Sequence, residues 1–327
     1  MAHPDPSNPP KTLRVAAIQV ESHTGAVHDN LARAEKVVAE AARGGAKLLV
    51  CPELLAAGYV YDESIWRSAE ARSGPTEEWL RRLARVHGIH IGASYLEADR
   101  DDFYNTFALA SPNGVVGRVR KESLPGFEGW YFRGSNAPKV IDTDLGRIAI
   151  GICQDNHSAR FFRRLMGDDV DLVLMPHSAP CPEAGAESMR ESLRAIAPFY
   201  ARAFGVPVVL ANKAHTPSRT PIPGLPGVRM RFTFAGLSSV CDADGRVMDR
   251  LADQEGMAIA DVTLDPAKKR RPEPPTDRYW SLPPPGYPRL AALAYELMQK
   301  LGERAYAKNP RRPSAAHRAL TTRAHEA

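Results

Sequence analysis

The chain has 327 residues, 43% of them hydrophobic and 25% charged, enough to bury a large core as one big α/β domain or two ordinary ones. A mean hydropathy of -0.34 and no apolar run of spanning length argue against a membrane protein and a membrane partner, and the start MAHPDPSNPPKT lacks the basic and apolar regions of a signal peptide, so a cytoplasmic location is expected. The net charge of +5 invites a nucleic-acid reading, but the basic C-terminal stretches AKKRRPEP and NPRRPSAAHRALTTRAHEA carry no alternating aromatics; a solvated tail and no nucleic-acid partner are expected.

After a Pro-rich leader, residues 1–11, expected to be disordered, LRVAAIQV reads as a strand. DNLARAEKVVAEAARGG reads as an amphipathic helix with Asp29 or Asn30 at its cap and Gly44 at its end. AKLLVCPE is a nearly continuous apolar strand, which implies burial on both faces. The helix GPTEEWLRRLARVHG and the strand IHIGASYLE follow, then TFALASP and VVGRVRKES around the hairpin signal Asn113-Gly114. RIAIGIC is a strand, SARFFRRLMGD a helix and VDLVLMPHSA a strand; SMRESLRAIAPFYARAFG and VPVVLANKA repeat the alternation. HTPSRTPIPGLPGVRM, crowded with proline and glycine, is expected to be a long surface loop, and FAGLSSVCDADGRVMDRL a second hairpin, over Asp244-Gly245. The pattern predicts a mixed sheet covered by helices in one domain, residues 12–265. Beyond it lies a basic extension, residues 266–327, in which YPRLAALAYELMQKLGE alone has helical periodicity.

Three apolar strands end on a reactive side chain: LLVCPE on Glu53, VGRVRK on Lys121 and IAIGIC on Cys153. Each alone has an ordinary explanation, as solvated charge or as a packed thiol. Together they make one machine, because neighbouring strand ends in a helix-covered sheet converge on a single crevice. A thiol with a free pKa near ~8.5 needs a base to take its proton and a cation to hold the anion; Glu53 and Lys121 supply both. The same ammonium, with the Gln154 N–H, can stabilise an oxyanion, and no metal or organic cofactor is required. The four cysteines, Cys51, Cys153, Cys181 and Cys241, include no C-x-x-C pair and suggest neither a disulfide framework nor a zinc site.

These residues resemble the nitrilase superfamily of carbon-nitrogen hydrolases, whose members use a Glu-Lys-Cys triad in that chain order. The likeness runs from about Leu13 to about Asp265. It places Glu53 on the general base, Lys121 in RKESLPGFEGWYF on the oxyanion stabiliser, and Cys153 in GICQDNHSARFF on the nucleophile. It places Glu128 on a second glutamate that positions substrate and lysine, and Tyr59 on the aromatic of a Gly-Tyr pair; Asn212, Gly236 and Ser238 match the closing motifs. The resemblance implies a four-layer α-β-β-α sandwich of two mixed sheets that forms a homodimer or larger homo-oligomer, with the C-terminal extension associated with the dimer and partly disordered.

The chain departs from the family at Ser158, Ala159 and Arg160, and at Ala203 and Phe204. Gln154 and Asp155 after the cysteine, where nitrilases carry Trp-Glu, are closer to amidases and carbamoyl-amide hydrolases and disfavour a nitrile; a small amide is the expected substrate, with an N-carbamoyl amide or a nitrile as the alternatives. Gln154, Asn156, His157 and Tyr59 are candidate substrate contacts, and Phe127 and Trp130 candidate pocket walls. His157 has an alternative as the cap of the following helix, and with His177 it supports a rival Cys-His hydrolase in which a histidine activates Cys153.

Overall fold

The computed structural model describes residues 9–181, 186–273 and 289–321. In chain order the first half runs β1 (Lys11–Gln19), α1 (Val27–Arg43), β2 (Leu48–Val50), α2 (Pro75–His87), β3 (His90–Asp99), β4 (Asp102–Ser111), β5 (Gly114–Arg120), β6 (Val140–Thr143) and β7 (Gly146–Ile150). The second half adds α3 (Ala159–Gly167), β8 (Leu172–Pro176), β9 (Pro180–Cys181), α4 (Ala186–Phe204), β10 (Val208–Ala211), β11 (Ser218–Pro221), β12 (Arg229–Phe234), β13 (Ser239–Cys241), β14 (Val247–Arg250) and β15 (Gly256–Leu264). Two helices close the described chain, α5 (Arg289–Lys308) and α6 (Arg312–Thr321).

Two six-stranded sheets result, ordered β15-β1-β2-β3-β4-β5 and β14-β13-β10-β8-β7-β6. In each, parallel central pairs are flanked by antiparallel ones. The near-continuous apolar runs are explained by period-two alternation with both faces buried. Val15, Ala17, Leu48 and Val50 point between the sheets, toward Ile148, Ile150, Leu172 and Leu174. Ala16, Ile18 and Leu49 point the other way, onto Leu31 and Val38 of α1 and Leu80 and Leu83 of α2. Ala149, Val173 and Met175 likewise meet Phe161 of α3 and Ile196 and Tyr200 of α4. The four layers are therefore α-β-β-α, with each fully buried Leu or Ile contributing about 1.5–3 kcal/mol.

Several elements differ from expectation. Helix α1 starts at Val27 with no side-chain cap at Ala26, so neither Asp29 nor Asn30 caps it. Asn30 is buried and its amide ties two loops instead, donating to the carbonyls of His23 (2.7 Å) and Ala56 (2.8 Å). Ser158, not His157, caps α3, accepting from the Arg160 N–H. The Pro-rich stretch expected to be a loop is the hairpin β11–β12, which with β9 makes a third, small sheet. Proline tolerates an edge strand, and a three-stranded sheet is mostly edge.

The basic extension is also more ordered than a solvated tail. Gly302 of α5 packs against the Trp130 ring so closely that a Cβ there would lie 2.5 Å from it. The Tyr306 hydroxyl accepts from the Phe103 N–H at 2.8 Å, Arg312 pairs with Asp102, and Ala315 and Ala316 of α6 are buried in the cluster that holds Tyr61 and Trp66. Small side chains bring the helix close, and the arginines stay at the rim. The last residues of the chain, 322–327, and residues 1–8 of the leader lie outside the described residues, while Lys11 already belongs to β1.

Candidate active site

The chain leaves β2 through Cys51-Pro52 and reaches Glu53, whose N–H donates to the His177 carbonyl at 3.1 Å and whose own carbonyl accepts from Ser178 Oγ at 2.5 Å. These two bonds clamp the end of the first sheet to the end of β8 in the second. Leu54 then takes φ +45°, a left-handed conformation costly for a branched side chain. Lys121 follows the last residue of β5, and its N–H donates to the Asn105 carbonyl at 2.8 Å. Two strand ends of the first sheet thus deliver the acid and the cation to one place.

The side chains meet in bonding distance. Lys121 Nζ lies 2.7 Å from Glu53 Oε1 and 2.9 and 2.7 Å from the two oxygens of Glu128. All three are buried. Glu128 sits in a 3-10 turn, Glu128–Trp130, lodged under α5, and accepts from the Tyr59 hydroxyl at 2.6 Å. The Tyr61 hydroxyl is 3.0 Å from that of Tyr59; with the Tyr59 proton committed to Glu128, Tyr61 is the donor. Burial disfavours the Lys121 ammonium, but Glu128 and Glu53 outweigh it and hold its pKa well above the ordinary lysine value. Burial pushes Glu128 up to about 7, Lys121 opposing and the Glu53 charge adding to the rise.

Asn105 was not anticipated. Its Nδ2 donates to Glu53 Oε1 at 2.7 Å while its Oδ1 accepts from Ser94 Oγ at 2.6 Å. The only sequence signal is a polar pair, Asn105-Thr106, between the aromatic and apolar residues in the middle of β4. With Lys121 and Asn105 both on Oε1, the other oxygen of Glu53 is buried with no partner among the described residues. A carboxylate oxygen left free in a dry site is a proton acceptor held in reserve.

Cys153 opens a second 3-10 turn, Cys153–His157, directly after β7 and Gly151-Ile152. It has φ +48°, so the chain turns sharply and lifts the thiol out of the strand line. Gly151 permits the turn, because a Cβ there would sit 2.0 Å from Asn156 Oδ1. The sulfur accepts from the Ser178 N–H and lies within electrostatic reach of Glu53, Lys121 and Glu128; burial and the Glu53 charge raise its pKa, with Lys121 pulling the other way. At 8% exposure Cys153 is also the least buried of the four cysteines and the least buried member of the cluster. The two carboxylates and the lysine are covered more fully than the cysteine.

The remaining residues of the turn divide by role. Asp155 accepts from the N–H groups of Glu122 (3.1 Å) and Ser123 (2.7 Å) and from Lys139 Nζ (3.2 Å), pinning the segment after Lys121 to the turn after Cys153. Asn156 Nδ2 contacts the Gly151 carbonyl (2.7 Å) and His177 Nε2 (3.0 Å), so this amide holds the turn together rather than facing outward. Because the Asn156 amide donates there, the His177 proton resides on Nδ1, and burial, His157 and Lys121 keep that ring neutral. His157 packs edge-on to His177 at 5.7 Å. Gln154 is buried, and its Nε2 has no partner among the described residues. Phe127 stacks edge-on to Tyr61 and to Trp130, each at 5.6 Å. Asn212 and Ser238 form a clasp: Asn212 donates to Gly236 O and Ser238 Oγ and accepts from Ala179 N, while the Ser238 N–H donates to Gln19. Among the described residues no cluster of three or more His, Cys, Asp or Glu is arranged to hold a metal ion, and no helix is long and apolar enough to cross a membrane.

Residues 14–271 match the family described as carbon-nitrogen hydrolase. The chain belongs to that family. This carbon-nitrogen hydrolase is a nitrilase-superfamily enzyme acting on non-peptide C–N bonds. It is 25% identical over 264 residues to a nitrilase of Pyrococcus abyssi, covering 79% of this chain and 93% of that protein. It is 25% identical over 266 residues to an N-carbamoylputrescine amidase of Arabidopsis thaliana, covering 75% and 85%. A carbon-nitrogen hydrolase from Helicobacter pylori G27 superposes with a TM-score of 0.68 at 18% identity, over 78% of this chain and 90% of that one. The four-layer fold of this hydrolase is thus shared at low sequence identity.

Proposed function

We propose that this hydrolase cleaves the C–N bond of a small amide through a thioester on Cys153. The observation that carries the reading is the free oxygen of Glu53 beside a thiol whose pKa is raised: such a thiol needs a base at the moment of attack. Glu53 takes the thiol proton as the sulfur adds to the carbonyl carbon. Lys121 and the Gln154 N–H hold the oxyanion, an effect on the order of 10²–10³ in rate for one such donor. Glu53 then returns its proton to the departing nitrogen, releasing ammonia or an amine, and takes another from the water that adds to the thioester. Collapse of that second adduct frees the carboxylic acid and restores the thiol with the proton Glu53 held. Glu128 and Tyr59 keep Lys121 aimed, and Gln154 and His157 line the opening.

Ammonia release from a panel of primary amides, N-carbamoyl amino acids and nitriles tests the reading, with Cys153→Ala as the blank. Turnover of the amides with an acyl-enzyme mass adduct on Cys153, and a loss of at least about 10⁴-fold in kcat on Cys153→Ala, is expected. Turnover of nitriles alone, or of carbamoyl compounds alone, overturns the amide assignment. Retained activity in Glu53→Gln with activity lost in His157→Ala transfers the base to histidine.

A further inference from the structure

The hairpin β11–β12 supplies no side chain to the reacting cluster, yet its charges are placed at a cost. Antiparallel pairing sets Arg219 directly opposite Arg231, and like charges in that position destabilise a strand pair. Elsewhere the fold provides for its cations. Arg14, Arg118, Arg120 and Arg147, on strands of the two large sheets, each hold a carboxylate. Three lysines are buried among the described residues, and each has an acceptor. Lys121 has Glu53 and Glu128, Lys139 has Asp155, and Lys213 has the Leu54 carbonyl at 3.2 Å, with the Phe234 ring centroid 5.1 Å from its ammonium. The guanidinium groups of Arg219 and Arg231 have neither an ion pair nor a hydrogen bond among the described residues.

These two arginines share a space with a third. A cavity of about 490 Å³ is lined by Arg219, Arg231, Arg190 of α4 and His215, and among the described residues no carboxylate lines it. Arg190 is likewise without an ion pair among the described residues. Three separate elements thus bring uncompensated charge of one sign to one concavity, which concentrates anions. The Thr233 hydroxyl lies 3.0 Å from His215 Nδ1; when it donates there, the neutral ring carries its proton on Nε2, a further donor. Phe232 and Pro217 give the same cavity an apolar side. None of Glu53, Lys121, Glu128 and Cys153 lines it.

The number of forks selects among anions. A monocarboxylate brings one charge and two oxygens, fewer than three guanidinium groups can use. A phosphate monoester brings about two charges and three strong acceptor oxygens, each able to take charge-assisted N–H bonds. The cavity is larger than a phosphate group, which leaves room for an organic part along Phe232 and Pro217.

We propose that Arg190, Arg219 and Arg231 form a binding site for the phosphate of a small phosphomonoester, separate from the reacting cluster. The bound dianion lies between the opposed strand arginines and removes their repulsion, so the ligand fills the cavity and tightens the hairpin together. The inference does not depend on the amide reading.

The test uses the full chain with phenyl phosphate, set against inorganic phosphate, sulfate and benzoate, and is read by calorimetric titration and thermal melting in chloride buffer. Phenyl phosphate is expected to bind one to one, to raise the melting temperature, and to exceed benzoate about tenfold or more in affinity. Arg219→Gln and Arg231→Gln are each expected to weaken it about tenfold or more. Without ligand both variants are expected to melt no lower than the wild-type chain, because each removes one of two like charges. A lower melting temperature with unchanged phenyl phosphate affinity makes the arginines structural and overturns the proposal. So does equal binding of every anion that the variants do not move. Inorganic phosphate binding as tightly as phenyl phosphate gives the site to the free ion and overturns the monoester. Retention on phosphatidylglycerol vesicles or single-stranded DNA, with no binding of phenyl phosphate, gives the arginines to a polyanionic surface and also overturns it. Alkylation of Cys153 by iodoacetamide, followed by mass spectrometry, separates the cavity from the active site. An unchanged rate under saturating phenyl phosphate is expected; protection of Cys153 puts the phosphate at the reacting cluster and overturns a separate site.

Discussion

The first half of the chain carries two kinds of buried carboxylate, and they are treated in opposite ways. Glu77 and Glu97 are as buried as Glu53 and Glu128, yet every one of their oxygens is used. Glu77 receives the fork of Arg118 together with Tyr95, Arg81 and the Ser73 N–H; Glu97 receives the fork of Arg120 with Arg72 and Thr106. Burial resists the charge on both, but the arginine hydrogen bonds prevail and hold their pKa values below the ordinary glutamate value. In the active site the cation is a lysine, a compact charge that one carboxylate alone does not exhaust. Glu53 keeps a free oxygen and Glu128 sits near neutrality. Saturation marks a carboxylate that holds the fold; a vacancy and a proton in reach mark one that works.

That contrast can be broken or sharpened by experiment. The largest effect is expected from Lys121→Met, which strands two buried carboxylates. A loss on the order of 10²–10³ in kcat should come with a fall of about 3–5 kcal/mol in unfolding free energy. Ammonia release and urea melts check both. Glu128 sets the next effect. Protonation below about pH 7 removes one of the two counter-charges of Lys121, whose own pKa is far higher. The kcat/KM profile is therefore expected to fall tenfold per unit on the acid side of about 7, and Glu128→Gln to remove that limb at a lower plateau. A profile flat down to pH 5 contradicts it. Glu77→Gln has the smallest effect on catalysis, expected to leave kcat/KM within twofold while costing about 3 kcal/mol of stability; a large drop in turnover at unchanged melting temperature dissolves the distinction between the two kinds of acid.

The layers were legible because strands buried on both faces write long apolar runs, and because Glu53, Lys121 and Cys153 each stand where such a run stops. The partners of these residues were harder to read. Asn105 and its neighbour Thr106 interrupt a strand with two polar letters, and nothing local distinguishes an amide that orients a carboxylate from one that meets water. Lys213 follows Ala211-Asn212 as a surface lysine would; its burial is decided by Phe234 and Leu54, residues distant in the chain. Asn30 looked like a helix cap because caps and loop clasps favour the same side chain. The hairpin β11–β12 was hidden by prolines, which signal turns more strongly than they forbid edge strands. Helix α6 was hidden by its arginines, whose charge suggested solvent while Ala315 and Ala316 face inward. Composition records what a segment can tolerate, whereas packing depends on a neighbour that composition does not name.

The turn that holds Glu128 rests on α5, whose Gly302 lies 174 residues further along the chain. A ribosome that has already delivered both large sheets has therefore not yet delivered the brace behind one of the three charges. The reactive sulfur leaves the ribosome well before the segment that braces Glu128.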